Sequence, residues 1–229
     1  KHDLYDNTLN RYISVIKTFL RWCIKKGYSP PMDFAEVRIK KHETDDVALT
    51  REEVELIASA ELSGAKDRAR DLFLIGVYSG QRWSDYSVFD KADVRNGLLY
   101  KRAKKTSSIS KIPLHTKLKA ILDKYDWNLP KISSQKFNVH IQQICKALEI
   151  NDKIKFTHSK GNHKKEEIKE KWEKIGSHTA RRTYITLASE GNVPDHFIME
   201  ITGIKDSNTL KKYKKVNNKA IIEHTKDLF

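Results

Sequence analysis

Cysteine is scarce: the 229 residues carry two, Cys23 and Cys145, far apart and each inside a helix-like apolar pattern. Such a pair supplies neither a disulfide framework nor the closely spaced ligands of a zinc site, so both read as small core residues in a reducing compartment. No apolar run approaches the roughly 18 residues that a membrane span requires. No signal-peptide pattern opens the chain either. The expectation is a soluble, intracellular protein with no membrane partner. No internal repeat is present. Acidic residues are the other deficit: 30 Asp and Glu stand against 44 Lys and Arg, a formal net charge of +14 with a pI near 9.6. A surplus of that size suits a polyanion, because each cation that meets a phosphate releases condensed counterions. Solubility alone also uses charge, but here the surplus falls in blocks, which favours nucleic acid.

The chain opens on Lys1 rather than Met, which reads as a fragment with sequence upstream. From Leu4 to Lys26, Leu9, Tyr12, Ile13, Ile16, Phe19, Leu20, Cys23 and Ile24 form one helical stripe, ended by Gly27 and Pro30-Pro31. A single helix cannot bury that stripe alone. The organisation expected is 1–40 as the end of a helical domain, 41–49 as a linker, and 50–229 as a second domain with a tail helix. Thr50-Arg51-Glu52-Glu53 is a capping box. A helix follows over Asp67–Ser79, stopped by Gly80. Asn96-Gly97 signals a hairpin, then strands at Leu98–Arg102 and up to Ile112-Pro113-Leu114. Helices are expected near 116–125, 135–148, 178–190, 194–201 with Pro194 at the first helical position, 207–213 and 217–227. The Lys- and Glu-rich stretch 153–174 fits either an insertion or a mobile hairpin. The fold class is mostly helical α+β with one small antiparallel sheet.

Four constellations carry chemistry. In Ser177-His178-Thr179-Ala180-Arg181-Arg182-Thr183, His178 and Arg181 share a helix face; a guanidinium there clamps two phosphate oxygens and an imidazole moves a proton. In Tyr78-Ser79-Gly80-Gln81-Arg82-Trp83-Ser84-Asp85, Arg82 follows a helix stop and can point into a cleft, with Asp85 holding it or the histidine. The turn Lys104-Lys105-Thr106-Ser107-Ser108 can push a lysine into a DNA groove. In Thr209-Leu210-Lys211-Lys212-Tyr213-Lys214-Lys215, a tyrosine lies between two lysine pairs, in a positive potential. Each has an ordinary alternative: a surface histidine beside a helix arginine, a capping arginine, an edge-strand lysine, an aromatic packed or stacked on a base.

Taken in order, Gly80-x-Arg82, Lys105, His178-x-x-Arg181 and Tyr213 resemble the tyrosine recombinase, or phage integrase, family from Thr50 to the end. Gly80-Gln81-Arg82-Trp83-Ser84-Asp85 resembles its Gly-x-Arg-x-Ser-Glu. Lys105-Thr106 followed by Ile112-Pro113-Leu114 resembles its hairpin lysine and next strand. Ser177–Thr183 resembles integrases of Bacteroidetes mobile elements in particular. The segment before Thr50 resembles the end of the family's helical core-binding domain. One departure stands out. The family's Gly-His pair ahead of the tyrosine is Gly203-Ile204 here, and isoleucine donates no hydrogen bond; loss of such a donor typically costs ~10²–10³ in rate. Lys205 is the nearest substitute.

The resemblance implies a DNA strand-cleaving and rejoining enzyme with a catalytic set of Tyr213 (nucleophile), Arg82 and Arg181 (phosphate), Lys105 (acid) and His178 (proton transfer). Asp85 and Lys205 would support it, and Lys104, Arg182, Lys211 and Lys212 would contact DNA. No cofactor or metal is implied. The partners implied are double-stranded DNA and three further copies of the chain on paired sites. Those copies would exchange a tail helix bearing Ala220, Ile221, Ile222, Leu228 and Phe229, in the cytoplasm of a bacterium. Rival readings are a weak or inactive DNA-binding protein of the same fold and a type IB topoisomerase-like relaxing enzyme. A metal nuclease drawing on His158, His163, His178 and Glu166/Glu167 lacks convincing ligand spacing.

Overall fold

A computed structural model describes residues 4–39, 46–105, 107–161 and 163–214. The chain divides into two units, Lys1–Asp45 with Lys153–Lys169, and Asp46–Asp152 with Glu170–Phe229. Among the described residues no helix is long and apolar enough to cross a membrane. The expected tail helix over 217–227 and part of the 41–49 linker lie outside the described residues.

The first unit holds helix α1 (Asp6–Lys25) and a two-stranded sheet of β4 (Lys153–Lys160) and β5 (His163–Glu170). Asp6 in the first turn of α1 is 3% exposed; its carboxylate accepts the Ser159 hydroxyl at 2.5 Å and the Gly161 amide at 2.7 Å. None of the apolar stripe of α1 is fully buried, and Tyr12, Ile16 and Phe19 are exposed. The Lys- and Glu-rich stretch is a hairpin, followed in the chain by a turn of 3-10 helix at Lys171–Lys174 that belongs to the second unit. It adds a second sheet where one was expected. β4 alternates over Lys153-Ile154-Lys155-Phe156, but β5 turns almost nothing inward, so only one strand of the pair carries an apolar signal.

In the second unit, Thr50 caps α2 (Arg51–Ser59) as the sequence predicts: its hydroxyl accepts the Glu53 amide at 3.2 Å and the Glu53 carboxylate accepts the Thr50 amide at 2.7 Å. The same carboxylate takes the buried Lys171 ammonium at 2.6 and 2.7 Å. Packing begins earlier than Thr50, since Val47 and Leu49 are buried. Helix α3 (Gly64–Ser79) is the core helix, burying Leu72, Phe73, Ile75 and Val77. It starts three residues ahead of the predicted Asp67.

Around α3 pack α5 (Thr116–Lys124), α6 (Ser134–Ala147) and α7 (Ser177–Glu190). The approach of α7 is close at Gly76, where an added Cβ would lie 2.9 Å from the Ala180 Cβ. Cys145 in α6 is fully buried, and burial pushes its thiol up to about 12.

Strands β1 (Val94–Arg95), β2 (Leu98–Arg102) and β3 (Ile109–Pro113) form an antiparallel sheet in that order. Asn96 and Gly97 both have positive φ, 50° and 75°, as the tight hairpin requires. Leu99 pairs with Ile112 and both are fully buried. Short helices α4 (Trp83–Tyr86), α8 (Asp195–Thr202) and α9 (Ser207–Tyr213) complete the unit. Pro194 precedes α8 as its N-cap rather than opening it, because its ψ of 142° is extended.

Candidate active site

The site is built on three helix ends and one hairpin. Gly80 ends α3 at φ 66°, in the left-handed region where glycine is favoured. A Cβ there would lie 2.4 Å from the Tyr184 ring, so glycine is also what lets α7 come this near. The next residue, Gln81, is buried and donates to the carbonyls of Ser79 and Ile201, tying the turn to α8. Arg82 then stands half-buried as the N-cap of α4. Asp85 is fully buried, and one of its oxygens accepts the Lys104 amide at 3.0 Å. It therefore anchors the root of the β2–β3 turn, rather than Arg82 or His178 as expected; its second oxygen has no hydrogen-bond partner among the described residues.

Helix α7 places His178 and Arg181 one turn apart. Arg181 is wholly buried. Its Nη1 donates to the carbonyls of Gly80 at 2.9 Å and Thr202 at 2.8 Å, while Nε and Nη2 have no hydrogen-bond partner among the described residues. Burial first, and then the Arg82 charge, push the Arg181 guanidinium down to about 10; the nearby Tyr213 phenol and Asp85 carboxylate act the other way. Two adjacent cations, one with two idle buried donors, are costly without an anion between them. The arrangement suits a phosphate or another tetrahedral anion.

Tyr213 is the last residue of α9, and its hydroxyl lies 3.2 Å from His178 Nε2. Desolvation lowers the His178 pKa, and so do the charges of Arg182, Arg181 and Arg82, while Asp46 opposes them. A neutral imidazole beside a phenol can take its proton. Arg182, 8% exposed, lies over the Tyr213 ring with its guanidinium carbon 4.8 Å from the centroid, and its Nη2 donates to Asp46 at 2.5 Å. Arg82, His178, Arg181 and Tyr213 thus come together at one place, with Asp85 beside them. Lys104, Lys105, Lys205, Lys211 and Lys212 are all exposed. The Lys105 ammonium makes no hydrogen bond or ion pair among the described residues, although the neighbouring Lys104 amide is fixed by Asp85.

No family model and no curated protein sequence matches the chain. Solved structures do. A lambda integrase (75–356) dimer bound to a COC′ core site superposes with a TM-score of 0.70 at 20% identity, over 93% of this chain and 75% of that one. The Tn1549 transposon integrase (82–397) in complex with circular intermediate DNA gives 0.62 at 15%, over 97% and 79%. A lambda integrase tetramer bound to a Holliday junction gives 0.62 at 21%, over 84% and 57%. The fold is that of the tyrosine recombinase catalytic domain.

On this recombinase fold, Ile204 is 5% exposed and packs with Ile185, Ile198 and Leu210, in the apolar cluster that Tyr213 also touches. It supports the helix that carries Tyr213 and offers nothing to a phosphate. Gly203 before it, at φ 67°, accepts the Ser108 hydroxyl at 3.3 Å, and a Cβ there would lie 2.7 Å from Ser110 Oγ. The β2–β3 hairpin is thereby seated against the end of α8. Two contributors have no signal in the sequence. Asp46 falls in the expected linker 41–49, and its partner Arg182 lies 136 positions away, so no local pattern signals the pair. Gln81 fills the variable position of Gly80-x-Arg82, and its bond to the Ile201 carbonyl, 120 positions away, has no local signal. Among the described residues no group of three or more His, Cys, Asp or Glu could hold a metal ion; of the residues considered for a metal nuclease, His158 and Glu167 face each other at 3.8 Å in the first unit.

Proposed function

We propose that the chain cleaves and rejoins DNA strands through a 3′-phosphotyrosine intermediate, as the catalytic part of a site-specific recombinase or integrase. The Tyr213 oxygen attacks the scissile phosphorus, the phosphorus–O5′ bond breaks, and His178 Nε2 receives the phenol proton. Arg181, through Nε and Nη2, and Arg82 hold the non-bridging oxygens and neutralise the charge that grows on them. Lys105 protonates the departing 5′-oxygen. A 5′-hydroxyl of a partner strand then reverses the sequence, so one phosphodiester replaces another and no nucleotide is consumed. The side-chain cations take the part that metal ions play in other phosphoryl transfers.

The observation that supports this reading best is the fully buried Arg181, with two donors unused beside Arg82 and a tyrosine–histidine pair at the same place. Double-stranded DNA is the partner that the +14 charge favours. Lys104, Lys211 and Lys212 would contact its backbone. Assembly into a tetramer on paired sites would use the apolar residues of the tail. The likeness of Ser177–Thr183 to integrases of Bacteroidetes mobile elements is the ground for placing the chain in a mobile element, acting on DNA in the bacterial cytoplasm.

The test uses duplexes randomised across a central segment, nicked on one strand and labelled at the 5′ end of the cleaved strand. A 3′-phosphotyrosine keeps that label on the protein in denaturing gels, in EDTA as well as without it. DNA binding with no covalent product would instead favour a non-catalytic protein of this fold. Relaxation of a single supercoiled circle by a monomer would favour the topoisomerase-like reading.

A further inference from the structure

The aromatic ring of Tyr213 is not held by its own helix. Helix α9 has seven residues, of which Leu210 alone is fully buried, and Asp206 caps it through the amides of Asn208 and Thr209 at 3.1 Å. What lies across the ring is Arg182, one residue beyond the buried Arg181 on α7. Two long cationic side chains thus leave adjacent positions of one helix for different tasks: Arg181 inward to the carbonyls of Gly80 and Thr202, Arg182 over the tyrosine. Arg182 has little exposure left for DNA, and Asp46 occupies its Nη2.

We propose that Arg182, clamped by Asp46, is a positioning residue that holds the Tyr213 ring against His178 for attack. The inference rests on the reading of Tyr213 as the nucleophile. A planar guanidinium over an aromatic face restricts ring tilt and leaves the hydroxyl free at the edge. That is what the 3.2 Å approach to His178 Nε2 requires. Asp46 lies directly ahead of the buried Val47 and Leu49, and the Leu49 amide donates to Thr183 Oγ1 at 3.0 Å on the same helix. The strand of chain leading into the catalytic unit is therefore part of the tyrosine's mounting.

The charge of Arg182 also acts on His178. The groups that bear on that imidazole are Arg181 and Arg182 from α7, Arg82 from the N-cap of α4, Tyr213 from α9 and Asp46 from the entering segment. Removing Arg182 takes away one of the three positive charges that lower the histidine's pKa.

The experiment uses the whole chain and the randomised nicked duplex pool. Arg182→Gln is expected to slow single-turnover adduct formation roughly tenfold, the scale of one lost cation–aromatic contact, with DNA affinity changed less than twofold. The acid limb of its rate profile moves to higher pH, and the His178 pKa read by NMR in the free protein rises with it. Arg182→Lys keeps the charge without the planar face, so it restores the pH profile but only part of the rate. Asp46→Asn slows the wild type and adds nothing to Arg182→Gln.

Equal adduct rates in Arg182→Gln and wild type overturn the proposal, as does an unmoved His178 pKa. A parallel fall in DNA affinity and adduct rate overturns it too, since Arg182 would then be a phosphate contact. If the wild type labels no Tyr213 at all, it is the nucleophile reading that has failed, a result read on a different protein sample from the three above.

Discussion

Replacing Arg181 with methionine separates what this side chain does for the fold from what it does for a bound phosphate. The guanidinium is fully buried and its pKa is pushed from 12.5 to about 10 by burial and by the Arg82 charge, which together correspond to roughly 3 kcal/mol against the charged form in the free protein. Methionine removes that penalty and nearly fills the volume. It also strips the Gly80 and Thr202 carbonyls of their donor, at a cost of ~1–3 kcal/mol each. The two effects nearly cancel, so denaturant unfolding should give a stability within about 2 kcal/mol of wild type. Cleavage should behave quite differently. The variant loses the two idle donors that face the anion, and the loss of even one such donor typically slows the chemical step by ~10²–10³. DNA affinity, spread over many phosphates, should fall by no more than about tenfold. Adduct formation on nicked duplexes, filter binding and urea unfolding on the same preparations read all three quantities. A variant that unfolds, or one that loses binding and cleavage in proportion, would show Arg181 to be a structural or docking arginine and refute the reasoning.

Three further outcomes follow from the same structure. Gly80→Ala combines the left-handed φ of 66° with a 2.4 Å clash against Tyr184, so it should cost about 2–4 kcal/mol and lower Tm by roughly 5–15 °C in a thermal melt. Lys171→Met leaves the partly buried Glu53 carboxylate without its cation and should destabilise by about 2–3 kcal/mol in urea unfolding; adding Glu53→Gln should recover part of that loss. His178, lowered from 6.5 by burial and three arginines, should keep cleavage active below the pH at which an ordinary imidazole would protonate. The same depression means the unfolded chain takes that proton first, so stability is full above 6.5 and declines as pH falls through the folded value. Rate and unfolding profiles recorded together would check both limbs.

Features whose cause is local were legible in the sequence. Thr50 and Glu53 cap a helix because their side chains reach amides three residues away, and Asn96-Gly97 turns a hairpin because both accept positive φ. Gly80 stopping α3 just ahead of Arg82 is of the same kind. Arg82, His178, Arg181 and Tyr213 stood out as candidates through residue type and order, which is also where the family resemblance lay. Features that depend on distant partners were not legible. Lys and Glu dominate β5, so neither alternation nor strand preference marks it, and the short Ile154/Phe156 alternation of β4 lacks a partner in the sequence; Asp6, which bonds to Ser159 and Gly161, is more than 150 positions away. Ile204 read as a missing donor because its neighbours in the apolar cluster, Ile185 and Ile198, come from other helices. Asp46 read as linker for the same reason.

The central claim is that Tyr213 itself becomes bonded to DNA. Peptide mass mapping of the denatured, nuclease-trimmed adduct tests it directly. The account predicts a nucleotide attached through its 3′-phosphate to Tyr213 and no product from Tyr213→Phe. A nucleotide found on any other side chain, or an undiminished adduct in Tyr213→Phe, would contradict it.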